Sequence, residues 1–271
     1  MYTTHWKLQE KPFENIPDPR FLFYSHKHEE ALSRMLYAVR ERKGGAILTG
    51  ECGSGKTLLS KVILNELSKD LYRSALVVNP RRSSFQLLRE IVFQLNGNKK
   101  LPFTNKTDML SCLEDILRAN RRENYNTVVV IDEAQAIPKD DTFEELRLLL
   151  NFQSEKEFLL TLVIIGQPEL KERISKIPQL RQRLSVRYHL SPLSEQETRE
   201  YVKHRLITAD AREDIFTEEA FSEIYRFSKG VPRDINNLCD ITLLVGCGAE
   251  LYQLDRDTVR AAAEDLGEVF M

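Results

Sequence analysis

The sequence predicts an α/β fold in which a parallel five-stranded sheet forms the core and a small all-helical domain follows it. Short apolar runs alternate with segments of helical periodicity up to about residue 190, and only helical patterns follow Pro192. Strands that are apolar on both faces must be covered by helices on both sides, which is the situation of a parallel sheet. We therefore predict a core domain over residues 1–190 and a helical domain over residues 191–271.

Local signals along the chain give the individual elements. The segment up to Tyr24 is rich in proline and aromatic residues, so we expect an extended conformation there. A helix is predicted over residues 28–42, where apolar side chains recur at helical spacing before Gly44 and Gly45. Strands are predicted at residues 46–49, 75–79, 127–131, 158–165 and 186–190, with helices from the glycine-rich loop to about residue 68 and over 83–95, 108–122 and 140–152. In the second domain, helices are predicted over residues 194–208, 217–228, 232–246 and 255–266, because each begins at a capping residue or a proline.

Composition and charge exclude several classes of protein. Hydrophobic residues make up 42% of the chain and charged residues 30%, which is typical of a globular protein with a substantial core. Lys and Arg total 39 against 41 Asp and Glu, so no overall basic field attracts nucleic acid or an anionic membrane. The four cysteines are scattered, which argues against a disulfide framework or a zinc site. The longest apolar stretch is about eight residues and no apolar leader is present, so we expect a cytoplasmic chain without a transmembrane segment.

A phosphate-binding loop is predicted directly after the first strand. The segment from Gly50 to Thr57 has the sequence GECGSGKT and matches the pattern G-x-x-x-x-G-K-[ST] at every fixed position. The glycines allow successive N–H groups to face phosphate oxygens, and the N-terminus of the following helix adds partial positive charge. Lys56 is predicted to neutralise the β- and γ-phosphates and Thr57 to bind Mg²⁺. The predicted nucleotide contacts are Gly50, Glu51, Cys52, Gly53, Ser54, Gly55, Lys56, Thr57 and Leu58. A glycine turn followed by an accidental lysine is the alternative interpretation.

Two adjacent carboxylates follow the third predicted strand. The apolar run over residues 128–131 ends in Asp132 and Glu133. The carboxyl ends of parallel strands meet at the edge of the sheet where ligands bind. Asp132 is therefore predicted to support Mg²⁺ and Glu133 to polarise an attacking water. A glutamate directly after the aspartate is typical of hydrolytic nucleoside triphosphatases rather than nucleotide kinases, so we predict hydrolysis.

Motifs along nearly the whole chain together resemble a known family. They are the phosphate loop, IDEAQ at residues 131–135, GQPEL at 166–170, LRQRL at 180–184 and GVPR at 230–233, with PF at 12–13 and PDPRFL at 17–22. In this order and spacing they resemble the AAA+ ATPases of the ExeA/GspA type, with the transposition ATPases of the TnsC, TniB and MuB kind as more distant relatives. The resemblance implies a P-loop core of AAA+ type with a helical lid domain, and ATP and Mg²⁺ as cofactors.

The resemblance also implies roles for residues outside these two motifs. Gln167 would be sensor 1, which contacts the γ-phosphate or the lytic water, and Arg233 would be sensor 2, which binds nucleotide from a lid helix. Arg183 would be the arginine finger that enters the site of a neighbouring copy, with Arg181 as its rival. Such a finger accelerates hydrolysis by about 10³–10⁵, so activity is expected to require a homo-oligomer. A surface salt bridge is the alternative for each arginine.

Three functions stay open at this point. The first is an ATPase that self-associates and couples ATP turnover to assembly of a macromolecular machine of the cell envelope, with secretion or pilus assembly proteins as partners. The second is a DNA-binding ATPase that regulates transposition, and the third is a scaffold that binds ATP but barely hydrolyses it. Relatives of the ExeA type usually continue into a transmembrane helix and a periplasmic peptidoglycan-binding region. This sequence has neither of these regions, as expected of a trimmed chain, a short paralogue or a family member with another function. Peripheral attachment of the protein to the inner membrane stays open.

The remaining basic pairs and the histidines are given no catalytic role. The pairs are Arg81 with Arg82, Lys99 with Lys100, and Arg121 with Arg122. We expect them to be solvated helix ends, while a ring interior that gathers the two arginine pairs for DNA is the alternative. None of the five histidines has a catalytic neighbour in sequence, so we expect structural or surface positions for all of them.

Overall fold

The predicted parallel sheet is present in the computed structural model, which describes residues 2–16, 18–99, 102 and 104–268. Its five strands are β1 (Gly45–Gly50), β2 (Tyr72–Val77), β3 (Asn126–Ile131), β4 (Leu160–Gly166) and β5 (Leu184–Leu190). Their order across the sheet is β2-β3-β4-β1-β5, and every neighbouring pair is parallel. The predicted α/β fold is therefore confirmed. Pro17, the first residue of the PDPRFL motif, and Lys100, one residue of a basic pair, lie outside the described residues.

The helices include several that the sequence did not predict. They are α1 (Tyr2–His5), α2 (His26–Arg40), α3 (Lys56–Glu66), α4 (Ser84–Leu95), α5 (Lys106–Arg122), α6 (Asp140–Leu149), α7 (Pro168–Ser175), α8 (Pro178–Arg183), α9 (Glu195–Thr208), α10 (Glu218–Ser228), α11 (Pro232–Gly248) and α12 (Arg256–Glu268). The extended conformation expected for the opening segment is wrong at α1 and at a 3-10 turn over Pro19–Phe21. Both α7 and α8 begin with a proline at the first position, where the missing N–H costs nothing. Within the described residues, none of the helices has the length and apolar character needed to cross a membrane.

The sheet belongs to a unit that comprises Glu29–Gly50 and Leu59–Leu190, here called the sheet unit. Because successive side chains point to opposite faces of a strand, β3 contributes side chains to two hydrophobic cores, one on each face of the sheet. Val128 and Val130 pack in the core that holds Met35 of α2, while Val129 and Ile131 pack in the core of α4, α5 and α6. All of these side chains are fully buried. Burial of one such side chain stabilises the fold by about 1.5–3 kcal/mol.

The second unit, here called the helical unit, comprises the described residues of Met1–His28, Glu51–Leu58 and Ser191–Met271. This packing differs from the predicted domain assignment, which placed the opening segment and the phosphate loop with the sheet. The reason lies in the apolar side chains of the opening segment, because Trp6 and Phe13 are buried in the core that α9 to α12 form. The indole N–H of Trp6 also donates to the carbonyl of Leu243, at 2.9 Å.

A buried arginine ties the opening segment to α9. The guanidinium of Arg205 donates to the carbonyls of Pro12 and Glu14 and to the hydroxyl of Tyr201. The central carbon of the guanidinium, Cζ, also lies 4.8 Å from the ring centroid of Phe21. Arg205 is only 6% exposed, so these contacts replace most of its hydration. The opening segment is therefore an integral part of the helical unit.

We expect Gly230→Ala to lower the free energy of unfolding by about 2–5 kcal/mol. Gly230 has φ +75, and a Cβ there would lie 1.9 Å from the carbonyl oxygen of Leu193. Gly97→Ala is the matched control, because Gly97 has φ +66 but no described atom lies within 4 Å of the added Cβ. The control should lose only about 1–2 kcal/mol. Chemical denaturation followed by circular dichroism measures both, and equal losses would contradict the steric explanation.

Candidate active site

The predicted phosphate loop lies in the helical unit, and two of its glycines have a left-handed backbone. It follows β1 directly, and α3 begins at Lys56. Gly53 and Gly55 have φ +79 and +93, a left-handed conformation that glycine adopts without a steric penalty. The Lys56 side chain is buried, and its Nζ donates to the carbonyl of Glu51 at 2.7 Å. The ammonium group is therefore turned into the loop, where the sequence predicts that it meets phosphate.

Arg233, the predicted sensor 2, contacts this loop. Its backbone N–H donates to the carbonyl of Gly53 at 3.3 Å, and its Nη1 donates to Cys52 Sγ at 3.3 Å. A Cβ on Gly53 would lie 2.6 Å from the Cβ of Arg233, so only glycine permits this approach. The first turn of α11 and the phosphate loop are therefore in direct contact within the helical unit. The contact brings the guanidinium to the loop, and its role as a sensor stays a prediction.

His28 is a loop neighbour that sequence analysis missed. Its side chain is 5% exposed, and its Nε2 lies 3.1 Å from the carbonyl oxygen of Ser54. The expectation of a structural or surface position did not foresee this contact with the loop. Serine before a helical pattern is a helix-start signal, so Ser25 could have placed His28 in the first turn of α2. In the structure the Ser25 hydroxyl accepts the backbone N–H of His28 at 3.3 Å. That signal would not have indicated a contact with a loop 26 residues away.

The predicted carboxylates lie at the carboxyl edge of the sheet. Ile131 is the last residue of β3 and, like Ile47 of β1, pairs with Ile164 of β4, so β1 continues three residues beyond the level at which β3 ends. Asp132 follows Ile131 and is only 1% exposed. Its Oδ1 accepts the backbone N–H of Glu133 at 2.8 Å, and its Oδ2 accepts the hydroxyl of Ser60 at 3.4 Å. These bonds fix the orientation of the Asp132 carboxylate.

Glu133 has an unusual backbone and a fixed side chain. Its φ of 52° is left-handed, which is uncommon for a residue with a side chain and is concentrated at functional sites. The carboxamide of Gln135 donates from Nε2 to Glu133 Oε2 at 2.6 Å. The same carboxamide accepts, at Oε1, the backbone N–H of Gln167 at 3.0 Å. One amide therefore links the predicted catalytic glutamate to the start of α7.

The surroundings hold Gln135 in this bridging position. A Cβ on Gly166 would lie 2.7 Å from Gln135 Oε1, so the side chain passes closely over a glycine at the end of β4. Arg173 of α7 donates to the backbone carbonyl of Gln135 at 3.0 Å and to that of Ile137 at 2.5 Å. Sequence analysis named Gln135 only as part of a motif and gave it no role. The missing signal was the proximity of β3 and β4, which no local pattern reveals.

The two candidate arginine fingers differ in their contacts. The Nη1 of Arg183 donates to the carbonyl of Leu150 at 2.6 Å, within the same chain. Arg181 is exposed, and its backbone carbonyl accepts a bond from the Arg187 guanidinium. Both arginines therefore stay candidates for a contact with a second copy.

The donor types at the predicted magnesium ligands suit that ion. The hydroxyl of Thr57 and the carboxylate of Asp132 offer hard oxygen atoms, which Mg²⁺ prefers. Among the described residues, no group of three His, Cys, Asp or Glu side chains is arranged to hold a metal.

Comparison with known sequences gives a match to a protein family and a relative about twice as long as this chain. The profile of the AAA domain family matches residues 39–174. General secretion pathway protein A of Aeromonas hydrophila is 36% identical over an alignment of 273 residues, and the match covers 99% of this chain and 49% of that protein. A potential ATP-binding protein of Staphylococcus aureus is 26% identical over an alignment of 145 residues, and the match covers 50% of this chain and 51% of that one. The chain thus spans about half the length of these relatives.

Comparison with solved structures supports the fold. The Aeropyrum pernix ORC2 protein, in ADPNP and ADP complexes, has a TM-score of 0.71 at 18% identity, covering 94% of this chain and 71% of that one. The RuvB Holliday junction branch migration motor of Thermotoga maritima has a TM-score of 0.60 at 20% identity, covering 90% and 70%. At such low identity these similarities establish a shared architecture alone.

Proposed function

We propose that the chain binds and hydrolyses ATP with Mg²⁺. The premise is its family, because the chain belongs to the AAA domain family and to the AAA+ ATPases of the General secretion pathway protein A type. The observation that carries this proposal is the phosphate loop, with two left-handed glycines and a buried lysine at the start of α3. A backbone of this kind presents N–H groups to phosphate oxygens, and the helix N-terminus favours negative charge there.

Each predicted residue has a role in the proposed reaction. Lys56 neutralises the β- and γ-phosphates, and Thr57 and Asp132 would hold Mg²⁺, which would supply further positive charge next to the phosphoryl oxygens. Glu133 orients and polarises the attacking water. Gln135 is added to this set, because its amide fixes the direction of the Glu133 carboxylate. Gln167 and Arg233 act as sensors of the γ-phosphate and of the nucleotide.

Self-association is part of the proposal. Arginine fingers act in trans in many enzymes that transfer phosphoryl groups, where a guanidinium stabilises the charge of the transition state. Arg183 is the proposed finger and Arg181 its rival. Because Arg183 is bound to the carbonyl of Leu150 in its own chain, its use in trans requires that this bond break when a neighbour docks.

Coupling of ATP turnover to the assembly of envelope machinery is the proposed biological role, at a cytoplasmic site peripheral to the inner membrane. The support is the similarity to General secretion pathway protein A, of which this chain spans 49%. DNA binding has less support. Of the arginines that could contact DNA, Arg82 is paired with Glu90 and Arg121 with Glu157, which reduces the positive charge available to phosphates.

Removal of the loop lysine tests nucleotide binding. We expect Lys56→Ala to raise the Kd for ATP by about 100-fold or more, because the charge-assisted bonds to the phosphates are lost. Lys69→Ala, an exposed lysine just after α3, is the matched control and should bind ATP like the unmodified chain. Isothermal titration measures both. Unchanged affinity in Lys56→Ala would contradict the assignment of the loop.

Two substitutions at the carboxylate edge test the catalytic glutamate and its amide partner. Glu133→Gln should bind ATP normally and lose about 10²–10⁴ in kcat. Gln135→Leu should also bind normally and lose about 10–100-fold in kcat, since a small misplacement of a catalytic group is costly. Gln196→Leu is the control, because Gln196 likewise donates to a glutamate, Glu200, but on α9. Full activity in Gln135→Leu would exclude an orienting role for the amide.

Mixing of variants tests the finger. Arg183→Ala should bind ATP but hydrolyse it about 10³-fold more slowly. Addition of Lys56→Ala chains, which carry an intact finger but no binding site, should restore part of the rate. Arg181→Ala treated in the same way identifies which arginine acts. If neither variant loses activity, or if mixing restores none, supply of the finger in trans is refuted for this chain.

A further inference from the structure

The imidazole of His28 is fixed on both sides by hydrogen bonds. Its Nε2 lies 3.1 Å from the carbonyl oxygen of Ser54, and its Nδ1 lies 2.7 Å from the hydroxyl of Ser25. All three residues belong to the helical unit and are at most 5% exposed. None of the roles that the sequence or the family assigns uses His28.

These contacts determine which nitrogen carries the proton. A carbonyl oxygen can only accept, so Nε2 must be the N–H donor to Ser54. Nδ1 then accepts the hydroxyl proton of Ser25, whose oxygen accepts the backbone N–H of His28 at 3.3 Å. Burial lowers the pKa of His28, which favours the neutral ring with a single N–H. The chain of bonds therefore runs from Ser25 through the ring to the phosphate loop.

The bond to Ser54 orients a peptide group of the loop. The peptide between Ser54 and Gly55 is planar and trans, so its C=O and its N–H point in opposite directions. A donor that holds the carbonyl toward His28 therefore directs the Gly55 N–H away from His28. Gly55 has φ +93, and a Cβ there would lie 3.1 Å from His28 Nε2, which leaves the ring and the loop little freedom.

We propose that His28 is a positioning residue of the nucleotide site. Its Nε2–H holds the Ser54 carbonyl outward, so that the Gly55 N–H is already oriented as a donor to the phosphate chain of a nucleoside di- or triphosphate. A loop without this bond must order that peptide when the ligand binds, and the ordering reduces affinity. This inference rests on the proposed binding of ATP at the loop. It concerns binding rather than the chemical step, so ATP and ADP should be affected alike.

The test compares a variant that lacks the donor with one that retains it. His28→Leu should raise the Kd for both ATP and ADP by roughly tenfold, the effect of one lost hydrogen bond to a buried carbonyl, and should leave kcat at saturating ATP within about twofold. His28→Gln keeps an N–H donor and should recover much of the affinity. His5→Leu is the matched control, because His5 Nε2 lies 2.7 Å from the carbonyl of Leu251, away from the loop, and its loss should leave both Kd values unchanged.

The outcomes separate this inference from the proposed function. If the unmodified chain does not bind ATP or ADP in isothermal titration, the proposed function fails. If it binds both, while His28→Leu binds them equally well, the positioning role is refuted. Equal weakening in His28→Leu and His28→Gln would also refute it, because the ring would then act through its shape and not its N–H. Should His28→Leu fail to fold, Ser25→Ala removes the hydroxyl that holds the ring at Nδ1, and unchanged Kd values in that variant overturn the proposal.

Discussion

Burial of β1, β3 and β4 between helices is the constraint that places the predicted site residues at one edge of the sheet. Nearly every residue of these three strands is buried, so the polar groups of the candidate site come from the residues that follow each strand. Because the strands are parallel, those residues must meet at one edge of the sheet unit. Asp132 and Gln167 lie there as a direct consequence of the apolar sequence before them. Hydrophobic burial thus decides where polar chemistry is available.

Polar contacts, and not apolar packing, set the orientations at that edge. Asp132 is held by a backbone N–H and by Ser60, and Glu133 is held by Gln135. In a buried environment such bonds are stronger than in water and constrain geometry more tightly. The left-handed backbone at Glu133 is maintained by the same network. A site arranged in this way can keep its geometry while the ligand is exchanged.

Features that depend on residues adjacent in the chain could be predicted from the sequence. Features that depend on contacts between residues distant in the chain could not. The prediction for β3, residues 127–131, differs from the observed Asn126–Ile131 by one residue because an apolar run leaves a local signature. The phosphate loop could be predicted because its residues are contiguous. His28, the bridging role of Gln135 and the packing of Trp6 depend on contacts between residues far apart in the chain, which no periodic pattern encodes. The short helices α7 and α8 were missed because six to eight residues are too few for a clear period.

The guanidinium of Arg205 has a consequence for how the N-terminal region could be exchanged. Its hydrogen-bond acceptors are neutral, and two of them are backbone carbonyls of Pro12 and Glu14. Detachment of those residues would leave a cation in an apolar interior with few oxygen ligands, a state of high energy. Any polypeptide that replaces the opening segment must therefore bring carbonyl or carboxylate oxygens to the same place. The buried cation thus selects for a backbone that can solvate it.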